Sequence, residues 1–139
     1  ADLLKGVAAA SNYDTLDDLA SYPEDYIVAD NFTLQIDINS EEELEFFKVQ
    51  HKRFAAALQE HNIVDISEPE IVPSRTSGHY HVTIKMDKAF TPLERVAFQA
   101  IFGSDRKREL RNLARILLRM DDAICFEIHK ETHTEGPYR

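Results

Sequence analysis

Two histidines with one residue between them, His79 and His81, are the side chains with the clearest capacity for chemistry in this sequence. They lie in the run SGHYHVTIKM, where apolar and polar residues alternate. Alternate side chains of an extended chain point to opposite faces, so this run predicts a strand with an apolar row on one face and both imidazoles on the other. Imidazoles bind metal ions and transfer protons near neutral pH. The partners of these histidines therefore decide what the protein could do.

Two further alternating runs supply carboxylates. The run FTLQIDIN predicts a strand with Asp37 and Asn39 on its polar face, and the run ICFEIH predicts one with Glu127 on its polar face. If both strands join the histidine strand in one sheet, carboxylates and imidazoles meet on one face. Carboxylate oxygens suit Mg²⁺ or Mn²⁺, and imidazoles suit Zn²⁺ or Mn²⁺. Two interpretations follow: a divalent metal site or acid–base centre, and a polar face that meets only water or a partner protein, which is the usual state of a sheet covered on one side.

Helix signals separate these strands. Two capping boxes mark helix starts at Ser40 and Thr91, and Gly103 separates the second helix from a third that should reach about Met120. Each helix has an apolar side that we expect to face the core. The residues expected on the inward sides of the second and third helices are Val96, Ala97, Ala100, Ile101, Leu110, Leu113, Ile116 and Leu117.

The element order predicts an α+β fold. The order is strand, helix, strand, strand, helix, helix, strand. This order suits a ferredoxin-like, or RRM-like, four-stranded antiparallel sheet with helices on one face, formed by residues 32–130. The Asp37 strand and the histidine strand should be adjacent at its centre. The ICFEIH strand and an edge strand around Ile71 should flank them. Residues 1–31 are predicted to form an acidic helical annex, and residues 131–139 a flexible tail.

Composition narrows the functional classes. The chain has 139 residues, 43% of them hydrophobic, which is enough for one domain with a proper core. Residues 1–70 hold sixteen Asp and Glu against four Lys and Arg, whereas residues 71–139 hold nine against twelve. A protein that coats a nucleic-acid duplex needs a broad basic face, so any such contact must be local and on the second half. The third helix offers one candidate surface, a basic stripe whose alternative role is a solvated face; its members are Arg108, Arg111, Arg115 and Arg119.

The sequence shows no sign of membrane insertion or secretion. No run approaches eighteen consecutive apolar residues, and no basic segment precedes an apolar one as in a signal peptide. Cys125 is the only cysteine, so an internal disulfide cannot form. We therefore expect a soluble protein of a reducing cytoplasm.

A resemblance joins several of these segments. The string TPLERVAFQAIFGSDRKREL at residues 91–110, preceded by PSRTSGHYHV and followed by ICFE, resembles a family of small bacteriophage proteins over roughly residues 32–128. The Asp37 strand and the Ser-Gly-His strand of such proteins look like a reduced archaeo-eukaryotic primase-polymerase palm. The pattern of that palm is Asp-x-Asp or Asp-x-Glu, then Ser-x-His, then a later acidic residue.

The resemblance implies roles for particular residues. Asp37 matches the first metal ligand, Ser77 and His79 match the Ser-x-His pair, and Glu127 is the candidate for the last carboxylate. Asn39 stands where the second carboxylate should be. Because an amide is a poorer and uncharged metal ligand, we do not expect polymerase activity.

The expected function is therefore that of a phage protein in the host cytoplasm that acts in nucleic-acid metabolism. Its enzymatic version is metal-dependent nucleotidyl or phosphoester chemistry, and its rival is a non-catalytic binding protein that inhibits a host enzyme or defence system through the acidic first half. We expect no membrane partner. The enzymatic version assigns catalysis to Asp37, His79 and His81, a divalent ion (Mn²⁺, Mg²⁺ or Zn²⁺) to Asp37, His81 and Glu127, and substrate binding to Ser77, Arg108, Arg111 and Arg115.

Overall fold

The computed structural model describes residues 15–23, 26–28 and 30–127. Within these ranges the chain forms four helices and five strands, an α+β fold as predicted. In chain order they are α1 (Leu16–Ala20), β1 (Tyr26–Val28), β2 (Thr33–Ile38), α2 (Glu41–Glu60), β3 (Glu70–Pro73), β4 (Tyr80–Lys85), α3 (Pro92–Ile101), α4 (Arg106–Leu117) and β5 (Cys125–Glu127).

The main sheet has three antiparallel strands in the order β2-β4-β3. The histidine strand β4 is central and pairs with the Asp37 strand β2 on one side and with β3 on the other, as predicted. Strand β2, however, was predicted to be central and lies at an edge of the described sheet. Strand β3 ends at Pro73 and lies at the sheet edge, because proline cannot donate to a strand ladder. The turn between β3 and β4 contains Gly78, whose φ of 81° is a conformation that glycine adopts without strain.

One face of this sheet forms the main core. Its apolar row packs against α2, and Phe102 joins it from the end of α3. The aromatic rings of Phe47 and Phe102 meet edge to face, with centroids 5.6 Å apart. The fully buried aliphatic side chains of β2 and β4 in this core are Leu34, Ile36, Ile38, Val82 and Ile84.

Local sequence signals start and end the helices where expected. The Ser40 hydroxyl accepts from the Glu43 N–H at 3.1 Å, and Thr91 and Glu94 form a complete capping box at the start of α3. Glu43, however, reaches back to the Asn39 N–H and not to that of Ser40. Gly103 follows α3 with a φ of 85°.

The predicted ferredoxin-like arrangement is not confirmed, because the last strand lies elsewhere. Strand β5 pairs antiparallel with β1, with Tyr26 opposite Glu127 and Val28 opposite Cys125. These two form a separate two-stranded sheet. Strand β1 was not predicted, since three residues are too few for an alternating pattern to stand out. The described main sheet therefore has three strands and not four.

The helices α3 and α4 occupy the place expected for that fourth strand. The Arg95 guanidinium donates to the Thr33 carbonyl at 3.0 Å, and the Gln99 side-chain oxygen accepts from the Gln35 N–H at 3.0 Å. The Arg108 guanidinium donates to the Gln35 carbonyl. At the end of the strand, the Asp37 N–H donates to the Ser104 hydroxyl at 3.1 Å, and the Asp105 N–H donates to the Asp37 carbonyl at 2.8 Å. We call this set, formed by Arg95, Gln99, Ser104, Asp105 and Arg108, the edge clamp.

The edge clamp explains why the predicted inward sides of α3 and α4 are partly wrong. Ala97, Ala100 and Ile101 are exposed, and Leu117 is 55% exposed. A strand edge presents N–H and C=O groups, and burying these without partners costs free energy, so the helices turn polar side chains toward it. The buried polar residues of α3 and α4 are Arg95, Gln99, Glu109, Asn112 and Arg115.

The short helix α1 packs on α4. Leu19 and Ala20 are buried against Ala114, with Leu110 and Met120 at the margin. The Thr15 hydroxyl accepts from the Asp18 N–H at 3.0 Å and begins α1 as expected. The other predicted parts of the annex and tail, a helix around Leu3 to Val7 and residues 131–139, lie outside the described residues. No helix in the described ranges has the length and apolar character needed to span a bilayer.

Candidate functional site

Asp37 and His81 lie directly opposite each other on the polar face of the main sheet. Asp37 Oδ1 and His81 Nδ1 are 3.6 Å apart, and the side chains are 29% and 11% exposed, respectively. The alternation of both strands places them on the same face, since residues opposite in an antiparallel pair project together. The predicted meeting of Asp37 with the histidine strand is thus present in the structure.

The polar row becomes more accessible toward one end. Gln35 and Thr83, the next opposite pair, are buried. Beyond the Asp37–His81 pair, Asn39 and His79 are half-buried. The row is therefore closed at Gln35 and Thr83 and partly exposed from the Asp37–His81 pair to Asn39 and His79, which we call its open end.

The start of α4 borders the open end. The Asp105 carboxylate caps this helix by accepting from the Arg108 N–H at 3.0 Å. Its other oxygen accepts from the Asn39 side-chain amide at 2.8 Å. Asn39, the residue in place of a second carboxylate, is thus engaged with a residue of the edge clamp.

The environment of Asp37 favours its protonated form. Burial is the largest cause and raises the pKa of Asp37 above its ordinary value of 3.8. Asp105 and Glu109 raise it further, while Arg108 and His79 lower it. The carboxyl group therefore gives up its proton less readily than a solvent-exposed aspartate does.

Replacing Asp37 with Asn should change how stability depends on pH. Because folding raises the pKa of Asp37 above 3.8, this residue favours the folded state at low pH, and that contribution is lost as pH rises through the raised pKa. Asn does not titrate. We expect the Tm of D37N relative to the wild type to increase as pH rises through this interval, followed by circular dichroism.

The matched control is D65N, which removes one carboxylate from an exposed position and so corrects for the change in net charge. A Tm difference between D37N and the wild type that stays constant with pH, or that decreases as pH rises, would contradict the raised pKa.

Asp37 and His81 are two side chains of types that ligate metal ions, and the described ranges bring no third such side chain to them. Two protein atoms bound to one ion at about 2.1 Å lie roughly 3 to 3.5 Å apart, so the 3.6 Å between Asp37 Oδ1 and His81 Nδ1 requires only a small adjustment. No group of three or more His, Cys, Asp or Glu side chains within the described ranges could hold an ion. Glu127, the predicted third ligand, lies in β5 opposite Tyr26 and away from the main sheet.

All three arginines predicted to bind substrate make internal contacts. Arg108 belongs to the edge clamp and pairs with Glu109 at 2.9 Å. Arg115 is 2% exposed and donates to the carbonyls of Ala20 and Ser21 at 3.0 and 2.7 Å. Arg111 is half-buried and reaches the Ser21 carbonyl at 3.4 Å. The exposed basic stripe expected on this helix is therefore absent at Arg115.

The remaining predicted residue, Ser77, is exposed in the turn before β4. In that turn the Ser74 N–H donates to the His79 carbonyl at 2.9 Å, and the His79 N–H donates to the Thr76 carbonyl at 3.0 Å. These bonds fix the backbone of His79 next to the strand. The turn therefore positions one histidine of the site through its backbone.

Asp105, Ser104 and the Gln35–Thr83 pair border the site but were not among the predicted site residues. Asp105 was detectable only as a helix cap, because its contact with Asn39 spans 66 positions.

The fold and the site together define a small α+β protein with an aspartate–histidine pair on a partly covered sheet. Comparisons with protein-family models, curated proteins and solved structures gave no significant match.

Proposed function

We propose that this chain is a bacteriophage protein of nucleic-acid metabolism whose Asp37–His81 pair binds a phosphate ester together with a divalent metal ion. The single observation that carries the proposal is the 3.6 Å approach of Asp37 Oδ1 to His81 Nδ1 on the polar face. The kinship with a reduced primase-like palm belongs to the same proposal. It is supported by the adjacency of the Asp37 strand and the Ser-Gly-His strand, which that palm also requires.

Each polar residue of the site has a separate role in this proposal. Asp37 and His81 would hold the ion, which, when bound, neutralises charge on the phosphate. His79, at the open end of the row, would donate a hydrogen bond or a proton to a phosphate oxygen. Asn39 is bonded to Asp105 and supplies no charge. This set supports binding or simple phosphoester cleavage and argues against polymerisation, which uses two metal ions held by paired carboxylates.

Isothermal titration calorimetry tests this proposal. We expect the wild type to bind a Mn²⁺–nucleoside triphosphate complex at least about tenfold more tightly than Mn²⁺ alone, since the protein supplies only two ligands. D37N and H81Q should each weaken binding of the complex about tenfold or more, because each removes one ligand. The exposed control D65N should bind like the wild type. Equal affinity in all four proteins would contradict the proposal.

A second function, non-catalytic inhibition of a host enzyme or defence system, is favoured by the internal contacts of Arg108 and Arg115. These contacts occupy two of the cations expected to bind a nucleic-acid backbone. Exposed carboxylates remain on α1 at Asp17 and Asp18. An absence of heat with the wild type in the calorimetric titration would favour this second function.

A further inference from the structure

Gln35 and Thr83 form a buried polar pair without hydrogen bonds from their side-chain oxygens. They lie directly opposite each other on β2 and β4, and they are 6% and 8% exposed. Gln35 Oε1 and Thr83 Oγ1 are inaccessible to solvent and have no hydrogen-bond partner within the described part of the chain. No hydrogen bond joins the two oxygens to each other, although their residues are neighbours.

Such groups are rare in folded proteins, because a buried polar atom without a partner costs stability. Replacing both residues by apolar ones would remove this destabilisation. The pair therefore destabilises the folded state unless a bound group supplies the missing hydrogen bonds. Buried polar atoms in this situation usually contact an ordered water molecule or a ligand. The pair therefore indicates a binding position.

This position continues the candidate site. Residues two apart on a strand are separated by about 7 Å, so the Gln35–Thr83 pair lies one step inward from the Asp37–His81 pair on the same face. Gln35 and Thr83 are buried, whereas Asp37, His81, Asn39 and His79 are all half-buried. A ligand held at Asp37 from the open end would therefore direct its inner part toward Gln35 and Thr83.

We propose that Gln35 and Thr83 bind one hydroxyl group between them, which water supplies in the free protein and a sugar hydroxyl of the phosphate ester supplies in the complex. The second part of this proposal, the sugar hydroxyl, which we call the ligand half, rests on the proposed function. The first part, a hydroxyl-binding position between Gln35 and Thr83 that holds water in the free protein, does not. The ligand class is a nucleotide or sugar phosphate, in which a hydroxyl lies close to the phosphate.

The chemistry of the two side chains selects a hydroxyl. An amide oxygen only accepts, and a threonine hydroxyl both donates and accepts. A hydroxyl can donate to Gln35 and accept from Thr83 at the same time. If the amide of Gln35 is turned around, a hydroxyl can still accept from Gln35 and donate to Thr83. A phosphate oxygen can only accept, and an ammonium group can only donate, so each fits fewer of these arrangements.

A stability measurement tests the hydroxyl position without any ligand. The variants T83V and Q35M keep side-chain size but remove the polar atoms. If a water molecule is bound between them, each variant should lower the Tm, and the double variant should lower it by less than the sum of the two. The control T76V, in the exposed turn, should leave the Tm unchanged. Single variants with an unchanged or higher Tm would overturn the proposal, because they would show that nothing is bound there.

A binding measurement tests the ligand half. We expect the wild type to bind the Mn²⁺ complex of a ribonucleoside triphosphate about tenfold more tightly than that of its 2′,3′-dideoxy analogue, and T83V to lose this preference while binding the analogue like the wild type. Equal affinities of the wild type for both nucleotides would overturn the ligand half. If the wild type binds neither nucleotide, the proposed function fails, and the Tm values alone then decide the hydroxyl position.

Discussion

Replacing Glu109 with Met should lower the free energy of unfolding by about 3 to 5 kcal/mol, because it leaves a partly buried cation and several buried donors without their acceptor. Glu109 is 4% exposed. Its carboxylate accepts from the Gln99 amide and the Ser104 hydroxyl, both at 2.7 Å, and from the Arg108 guanidinium at 2.9 Å. These three donors belong to the edge clamp, so Glu109 holds together the side chains that bind the edge of β2.

Urea denaturation followed by circular dichroism measures this loss. The matched control is Glu60→Met at the exposed end of α2, where removal of a carboxylate from a helix C-terminus should be neutral or slightly stabilising. A loss in E109M no larger than that in E60M would mean that the network around Glu109 contributes nothing to folding.

Replacing Arg115 with Met should cost about 3 kcal/mol, since it leaves buried carbonyl groups without a donor. Besides its bonds to Ala20 and Ser21, Arg115 donates to the Asn112 side-chain oxygen at 3.0 Å and to the Ala123 carbonyl at 3.3 Å. It also lies over the ring of Tyr22, 5.2 Å from the ring centre. These contacts join α1 and the segment before β5 to α4.

The loss of stability in R115M should be largest in the N-terminal part of the chain, around α1. Amide hydrogen exchange should be faster in α1 of R115M than in the wild type. The amides of β4 should remain the more protected of the two segments in both proteins. The exposed Lys107 on the same helix supplies the control K107M, which should change neither quantity. A stable R115M that had lost nucleotide binding would instead assign Arg115 to the ligand, as the sequence pattern suggested.

The main sheet and the Asp37–His81 pair could be predicted because alternation in a strand depends on nearest neighbours. FTLQIDIN and SGHYHVTIKM each contain one apolar and one polar row, and burying the apolar rows on the same helix brings the polar rows together. The starts of α2 and α3 were likewise predictable from Ser40 and Thr91, because a capping hydroxyl bonds to the backbone three residues on.

The surroundings of the site were not predictable in the same way. In α4, Leu110 and Leu113 mark an apolar side, but Arg108 on the same helix reaches a strand edge that is 73 positions away in the sequence. Polar residues face inward there because backbone groups must be satisfied, a demand that no apolar pattern in the helix reveals. The same long separation hid the contact of Asn39 with Asp105 and the displacement of β5 to β1.

The edge clamp also limits how the chain can associate with other copies of itself. Proteins aggregate through unpaired strand edges that accept a further strand, and the outward groups of β2 already have partners. The opposite edge of the described sheet is β3, four residues long and ending in Pro73, which cannot donate to an added strand. Fibril growth by strand addition to the main sheet is thus opposed at both edges, by side chains on one side and by proline on the other.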